Sequence, residues 1–174
     1  YSLVVDPRNA QPPVDPISIS QALRSAPVPS LCGHEAGALV DGSLPDAFLT
    51  PQADADVAPS VSLLADPEPL VGDIEGDGVQ EVIAVVLCVY PSYGYPTGYQ
   101  SIVVWDLALN VLGAVTLEDT PPFLIAAEPS GGVTVAYTVC DPEIIVCTPI
   151  GTGSGPLARD GDSYVLLPGI AEGI

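Results

Sequence analysis

The second half of the chain alternates short apolar runs with turn residues. The runs are rich in β-branched residues, which suit a pleated, partly buried backbone. Five of them are long enough to be strands: Glu81–Tyr90, Ser101–Asp106, Val111–Leu117, Gly132–Cys140 and Ser163–Leu167. Because most connections between them are short enough for hairpins, we predict an antiparallel meander and not a parallel sheet with helical crossovers.

The run 82–89 is apolar at positions that face both ways, which predicts a central strand covered on each side. The segment 17–49 is the predicted cover for one side. In it, Ser18 or Ser20 can cap a short helix that the prolines at 27 and 29 end. The predicted fold class is α+β and mainly β: one antiparallel meander sheet of about five strands, covered by a short N-terminal helical segment. Residues 17–174 are predicted to form one domain.

Residues 1–16 carry four prolines, which remove backbone donors that a helix or sheet would use. We predict an extended arm. It is either a tether left after processing or a strand that docks on a neighbouring protein. The apolar patch Leu3, Val4 and Val5 favours contact with another molecule.

Charge narrows the range of partners. The 174 residues include 22 Asp and Glu but only 3 Lys and Arg, for a net charge of −19. A nucleic-acid or anionic-membrane partner would need a basic patch, so both are excluded. No apolar stretch approaches the roughly 20 residues needed to cross a bilayer. The chain begins at Tyr1 and contains no Met, which suggests a mature product whose export signal has been removed.

Four cysteines in a small acidic chain predict two disulfides and an oxidising compartment, with three pairings open. The alternative is four free thiols in a cytosolic protein. The short loop 141–146 favours a bridge between Cys140 and Cys147. Cys32 and Cys88 would then tie the N-terminal segment to the central strand.

The segment 72–83 has the chemistry of an oxygen-ligand metal loop. Acidic side chains at Asp73, Glu75, Asp77 and Glu81 alternate with glycines, and the carbonyl of Val79 is a further donor. Oxygen ligands on a flexible loop suit Ca²⁺ better than a transition metal. The alternative is a set of Asp-Gly turns that start a strand and leave the carboxylates in solvent.

This string resembles the single calcium loop of integrin-type FG-GAP and VCBS repeats, which also runs straight into a β-strand. The resemblance implies a Ca²⁺ site, and Glu75 departs from it where the family has Asp or Asn. No second copy occurs, so the propeller fold of that family is not implied. The whole chain also resembles, more loosely, secreted and lipid-anchored actinobacterial domains of unknown function such as the LppP/LprE-type lipoproteins. Cys32, Cys88 and the strand 163–167 carry that likeness, which implies an envelope location.

A loop with four tyrosines, Tyr90, Tyr93, Tyr95 and Tyr99, lies on a Gly/Pro scaffold. Tyrosine offers large contact area with few rotamers, which suits sugar faces or protein partners. The alternative is a long hairpin whose rings lie back over the sheet.

Catalysis has no recognisable constellation: His34 is the sole histidine, and no nucleophile elbow or phosphate loop occurs. We therefore expect a non-enzymatic, secreted or extracytoplasmic accessory protein of a cell-envelope assembly, with a structural calcium site. Envelope proteins would bind through the arm or the tyrosine loop. The alternative is a calcium-dependent carbohydrate- or cell-wall-binding module that uses the tyrosine loop.

Overall fold

The described part of the chain is mainly β-strand. The computed structural model describes residues 16–46, 59–90, 97–117, 121–128, 131–141, 143, 147–167, 169 and 171–173. Helix α1 spans Pro16–Leu23. The strands are β1 Pro27–Val28, β2 Gly37–Ala38, β3 Ser60–Leu63, β4 Leu70–Gly72, β5 Glu81–Tyr90, β6 Thr97–Trp105, β7 Val111–Leu117, β8 Pro122–Ala127, β9 Val133–Cys140, β10 Pro149–Asp160, β11 Ser163–Leu166 and β12 Ala171–Gly173. Among these residues, no helix has the length and apolar character to span a membrane.

The strands form three antiparallel sheets. The first sheet has the order β3-β5-β6-β7, and β4 pairs with the same edge of β5 further along. The second sheet has the order β11-β10-β9-β8, and β12 also pairs with β10. Strands β1 and β2 form a small separate ribbon. Each five-stranded sheet is built largely from consecutive hairpins, as short connections favour.

Strand β5 is buried on both faces. Val82, Ala84 and Val86 pack with the N-terminal residues 19–44, which form a covering layer on the first sheet. Ile83 and Val85 point the other way and pack against the second sheet. Each residue of β5 from 81 to 86 is buried, as expected for a strand between two layers.

Trp105 belongs to the core under the covering layer. It is fully buried, and its indole nitrogen donates a hydrogen bond to the carbonyl oxygen of Pro27 on β1. A buried indole N–H requires such a partner. The bond therefore fixes the covering layer on the first sheet.

The mainly β, antiparallel class is confirmed, and the five predicted strands occur close to their predicted bounds. The single meander is wrong, because the predicted strands divide between two sheets that face each other. The division has a physical cause: an N-terminal layer of one short helix and a two-stranded ribbon covers one face of β5, and the other face needs a second sheet.

Helix α1 begins at Pro16, so Ser18 and Ser20 lie inside it and do not cap it. Proline is well suited to a first helical position because its missing N–H has no helical partner there.

Strand β10 is the longest strand, although its sequence, PIGTGSGPLARD, is rich in glycine and proline. Three of its four buried positions are glycines, and at two of them, Gly153 and Gly155, other groups occupy the space of a side chain. A methyl group on Gly153 would lie 2.6 Å from the ring carbon Cε2 of Tyr137, and one on Gly155 would collide with the carbonyl oxygen of Leu167. The ring of Tyr137 thus fills the volume that a side chain at position 153 would otherwise take.

Two disulfides staple this fold. Cys32 is bonded to Cys88, which joins the covering layer to β5, and Cys140 is bonded to Cys147, which closes the connection between β9 and β10. Both are the pairings that the sequence predicts.

The two disulfides should contribute unequally to stability. The bonded cysteines are 56 residues apart in one case and 7 in the other. The loop-entropy relation then gives about 4 kcal/mol for the first bridge and about 2.5 kcal/mol for the second. Chemical denaturation of the double variants Cys32→Ala/Cys88→Ala and Cys140→Ala/Cys147→Ala measures this difference. An equal or larger loss from the short bridge would contradict the prediction.

Candidate functional site

The acidic loop between β4 and β5 is organised around Asp73. Its Oδ1 accepts hydrogen bonds from the backbone N–H groups of Gly76, at 2.6 Å, and Asp77, at 3.1 Å. Its Oδ2 accepts one from Gly78, at 2.7 Å. Gly76 and Gly78 have φ angles of 71° and 88°, a region that glycine adopts without strain. The glycines of the sequence motif therefore let the backbone fold around one carboxylate.

Glu81, the first residue of β5, is an almost fully buried acid, with 4% exposure. Its Oε2 accepts a hydrogen bond from the Ile74 N–H at 2.9 Å. Burial raises the pKa of Glu81 above its ordinary value, and the negative charges of Asp73 and Asp77 raise it further. The loop thus concentrates negative charge at the end of the core between the two sheets.

The acidic loop also joins the two sheets. Glu75 forms an ion pair with Arg159 on β10, with Oε1 and Nη1 3.0 Å apart. The Gly132 N–H, before β9, donates to the carbonyl oxygen of Asp73 at 2.7 Å. A methyl group on Gly131 would lie only 3.2 Å from the Cα of Gly76. The loop is therefore a contact point for the second sheet as well as the start of β5.

Tyr164, on β11, lies where the acidic loop meets the second sheet. The sequence alone does not indicate it as a site residue. Its side chain is buried, and its hydroxyl has no hydrogen-bond partner among the residues that the structure describes. Burial raises the pKa of Tyr164, the charge of Glu81 adds to this, and Arg159 opposes it. The phenol therefore lies within electrostatic range of both groups. More than 80 positions separate it from Glu81 in the sequence, so no local pattern could link them.

The donor types in the acidic loop fit calcium, but their arrangement does not converge. Asp73, Asp77 and Glu81 each direct at least one carboxylate oxygen to a backbone N–H, and Glu75 points to Arg159. Val79 is exposed. Within the part of the chain that the structure describes, no three acidic, His or Cys side chains come together as a metal site would require. Calcium binding would need Glu75 to leave Arg159.

Of the tyrosine loop, the structure describes Tyr90 and Tyr99, which lie in the hairpin formed by β5 and β6. Tyr90 ends β5 and is paired with Thr97, the first residue of β6. Tyr99 is 37% exposed and lies directly opposite Cys88 in the ladder. The Cys32–Cys88 disulfide thus anchors this hairpin two residues from the loop end of β5. Tyr93 and Tyr95 lie outside the described residues.

Three further predicted site residues, in the N-terminal arm, and the sole histidine complete the comparison. Leu3, Val4 and Val5 lie outside the described residues. His34 is fully buried, and its Nε2 lies 2.6 Å from the carbonyl oxygen of Pro59. It therefore belongs to the core under the covering layer.

The acidic loop and the tyrosine hairpin lie at opposite ends of β5. Glu81 begins the strand and Tyr90 ends it. Ten extended residues place these ends about 30 Å apart. An ion in the acidic loop therefore has no direct contact with a molecule bound at the hairpin tip.

Comparison with known proteins finds no match: no protein-family model, no curated protein and no solved structure is similar to this chain.

We expect Glu81→Gln to stabilise the calcium-free protein at neutral pH. A buried carboxyl with a raised pKa binds its proton more tightly in the folded state, so ionised Glu81 lowers the free energy of unfolding. The gain should be largest near neutrality and should disappear as the pH falls below about 4.5. Glutamine keeps an acceptor for the Ile74 N–H.

Denaturant titrations between about pH 4 and pH 8 in the presence of a chelator measure this gain. Glu81→Ala is the control, since it removes both the charge and the acceptor and should not stabilise the protein. A Glu81→Gln variant that is less stable than the parent at every pH would contradict the prediction.

Proposed function

We propose that the protein is a non-enzymatic, extracytoplasmic accessory protein of a cell-envelope assembly, and that its tyrosine hairpin and N-terminal arm bind the partner. The observation that supports this best is the position of the Cys32–Cys88 disulfide, directly opposite Tyr99. It fixes the hairpin that carries the tyrosines to the covering layer. A recognition loop on a rigid scaffold loses less entropy on binding.

Two further features support an oxidising location. All four cysteines are in disulfides, which persist outside the cytosol. The strongly acidic composition keeps a secreted domain soluble and limits non-specific association. Tyr99 is partly exposed, so a partner can contact its side chain.

A carbohydrate- or cell-wall-binding module is the second candidate, because an exposed tyrosine also suits a sugar face. The separation of about 30 Å along β5 limits the role of calcium in it. An ion in the acidic loop would act on the stability of the domain and would not ligate the sugar. Binding of a polymer at the hairpin should then persist when calcium is removed.

The first test is co-purification from solubilised envelope, with purified cell-wall polymer as the competing ligand. The full chain should retain a protein partner in stoichiometric amount, and deletion of residues 1–15 should abolish this, with a melting temperature close to that of the full chain. Tyr99→Ser should weaken retention. Phe123→Ser, which changes an exposed aromatic residue on the second sheet, is the matched control.

The result decides between the two candidates. Retention on cell-wall polymer, with no protein partner, would favour the binding module. A large fall in melting temperature on deletion of residues 1–15 would show that the arm belongs to the fold.

We also propose that the acidic loop binds one structural Ca²⁺ through Asp73, Glu75, Asp77, Glu81 and the Val79 carbonyl. The support is electrostatic: a cation would relieve the repulsion that acts on buried Glu81. It would also stabilise the junction between the loop and the second sheet. Competition from Arg159 for Glu75 makes this a weak site, in the millimolar range typical of extracellular modules.

Calcium at about 10 mM should raise the melting temperature by about 3–5 °C, since binding at a Kd of about 1 mM contributes about 1.4 kcal/mol. Asp77→Ala should remove this response. Asp46→Ala, which removes an exposed acid from the covering layer, should keep it. Differential scanning calorimetry measures both. No shift in the unmodified protein would show that the loop is only an acidic turn, and the accessory role would be unaffected.

A further inference from the structure

A cleft with a volume of about 570 Å³ lies beside the covering layer, away from the acidic loop and the tyrosine hairpin. It is bounded by the end of α1, the turn 40–43 and the connection from β3 to β4. Pockets that hold small molecules have volumes of roughly 300–1,000 Å³. The size of the cleft therefore suits a small metabolite.

The walls of the cleft are held by backbone hydrogen bonds. The Gly42 N–H donates to the carbonyl oxygen of Arg24 at 2.8 Å, and the Leu63 N–H donates to that of Gly42 at 2.7 Å. The central residues of the turn, Asp41 and Gly42, have φ angles of 52° and 85°, as a tight two-residue turn with both angles positive requires. One glycine thus links helix and strand, and the cleft is formed before a ligand arrives.

The lining carries charges of both signs. Arg24 is one of only three cations in the chain. Its Nη2 lies 3.4 Å from the carbonyl oxygen of Asp41 and 3.8 Å from the Oδ1 of the same residue, and it makes no other polar contact within the described residues. The side chains of Arg24 and Asp41 are 58% and 91% exposed. An exposed pair with this geometry contributes little, so most of the guanidinium donors are available to a ligand.

The other polar groups complement Arg24. Glu68 supplies a second negative charge, and Ser43 and Ser62 supply hydroxyl groups. Leu64 and Pro69 add an apolar surface that is half-buried in the free protein. The cleft can therefore accept a carboxylate, an ammonium group and a short apolar side chain.

The net charge of −19 restricts which ligand can use these groups. A simple anion would be repelled by the field of the whole protein. A simple cation would be attracted by that field, but it would leave the donors of Arg24 without an acceptor. A zwitterion carries no net charge, and each of its charges finds an opposite charge in the lining. We propose that this cleft binds a small zwitterion of the amino-acid class, with its carboxylate on Arg24 and its ammonium group on Glu68.

The test uses L-valine with two analogues that each lack one charged group: isovalerate has no ammonium group, and isobutylamine has no carboxylate. Calorimetry and saturation-transfer NMR on the full chain should detect valine, and each analogue should bind about tenfold more weakly or less. Arg24→Gln should weaken valine binding about tenfold. Arg159→Gln, a cation outside the cleft, should leave it unchanged.

A second variant keeps the proposal testable if Arg24→Gln does not fold. Glu68→Gln removes the ammonium partner and one repulsive charge, so isovalerate should then bind at least as tightly as valine. Two results would overturn the proposal: valine that shows no binding, or analogues that bind the unmodified protein as tightly as valine does.

Discussion

The need to bury both faces of β5 determines the arrangement of the other layers. Val82, Ala84 and Val86 require an apolar cover on one side, and Ile83 and Val85 require one on the other. The N-terminal layer meets the first need and the second sheet meets the other. Each valine or isoleucine side chain left exposed would lose about 1.5–3 kcal/mol of burial free energy. A single open sheet would expose one face of β5 and would therefore be much less stable. The disulfide at Cys88 and the hydrogen bond of buried Trp105 both hold the N-terminal layer against the first sheet.

Strands whose apolar residues are β-branched could be predicted from the sequence, and β10 could not. Two of its buried positions, Gly153 and Gly155, are glycines because Tyr137 and the backbone of Leu167 occupy the space beside them. A local pattern shows only the glycines, which indicate a loop. The second sheet was therefore missed as a separate layer, although β9 and β11 were predicted as strands of the single meander. The disulfide pairing was predictable because the loop between Cys140 and Cys147 is so short.

The candidate site was predictable only where its groups are close in sequence. The alternation of acids and glycines predicts an acidic, turn-rich loop before β5, but it does not show that the backbone folds around the carboxylate of Asp73. The ion pair of Glu75 with Arg159 spans 84 positions and the buried phenol of Tyr164 lies still further away, so both depend on the packing of the sheets. Composition shows that cations are scarce but not where they lie. Two of them, Arg24 and Arg159, contact acids that tertiary structure brings to them.

The Cys32–Cys88 bond also determines how the domain responds to mechanical load. If the N-terminus is attached to a larger structure and pulled, helix α1 and β1 can extend, but extension stops at Cys32. The tension then passes through a covalent bond directly into β5, at the centre of the first sheet. The residues between the two cysteines, which include the acidic loop, are enclosed in the covalent loop and bear no tension. Force applied at the N-terminus is thus transmitted directly to β5, the strand that is buried on both faces.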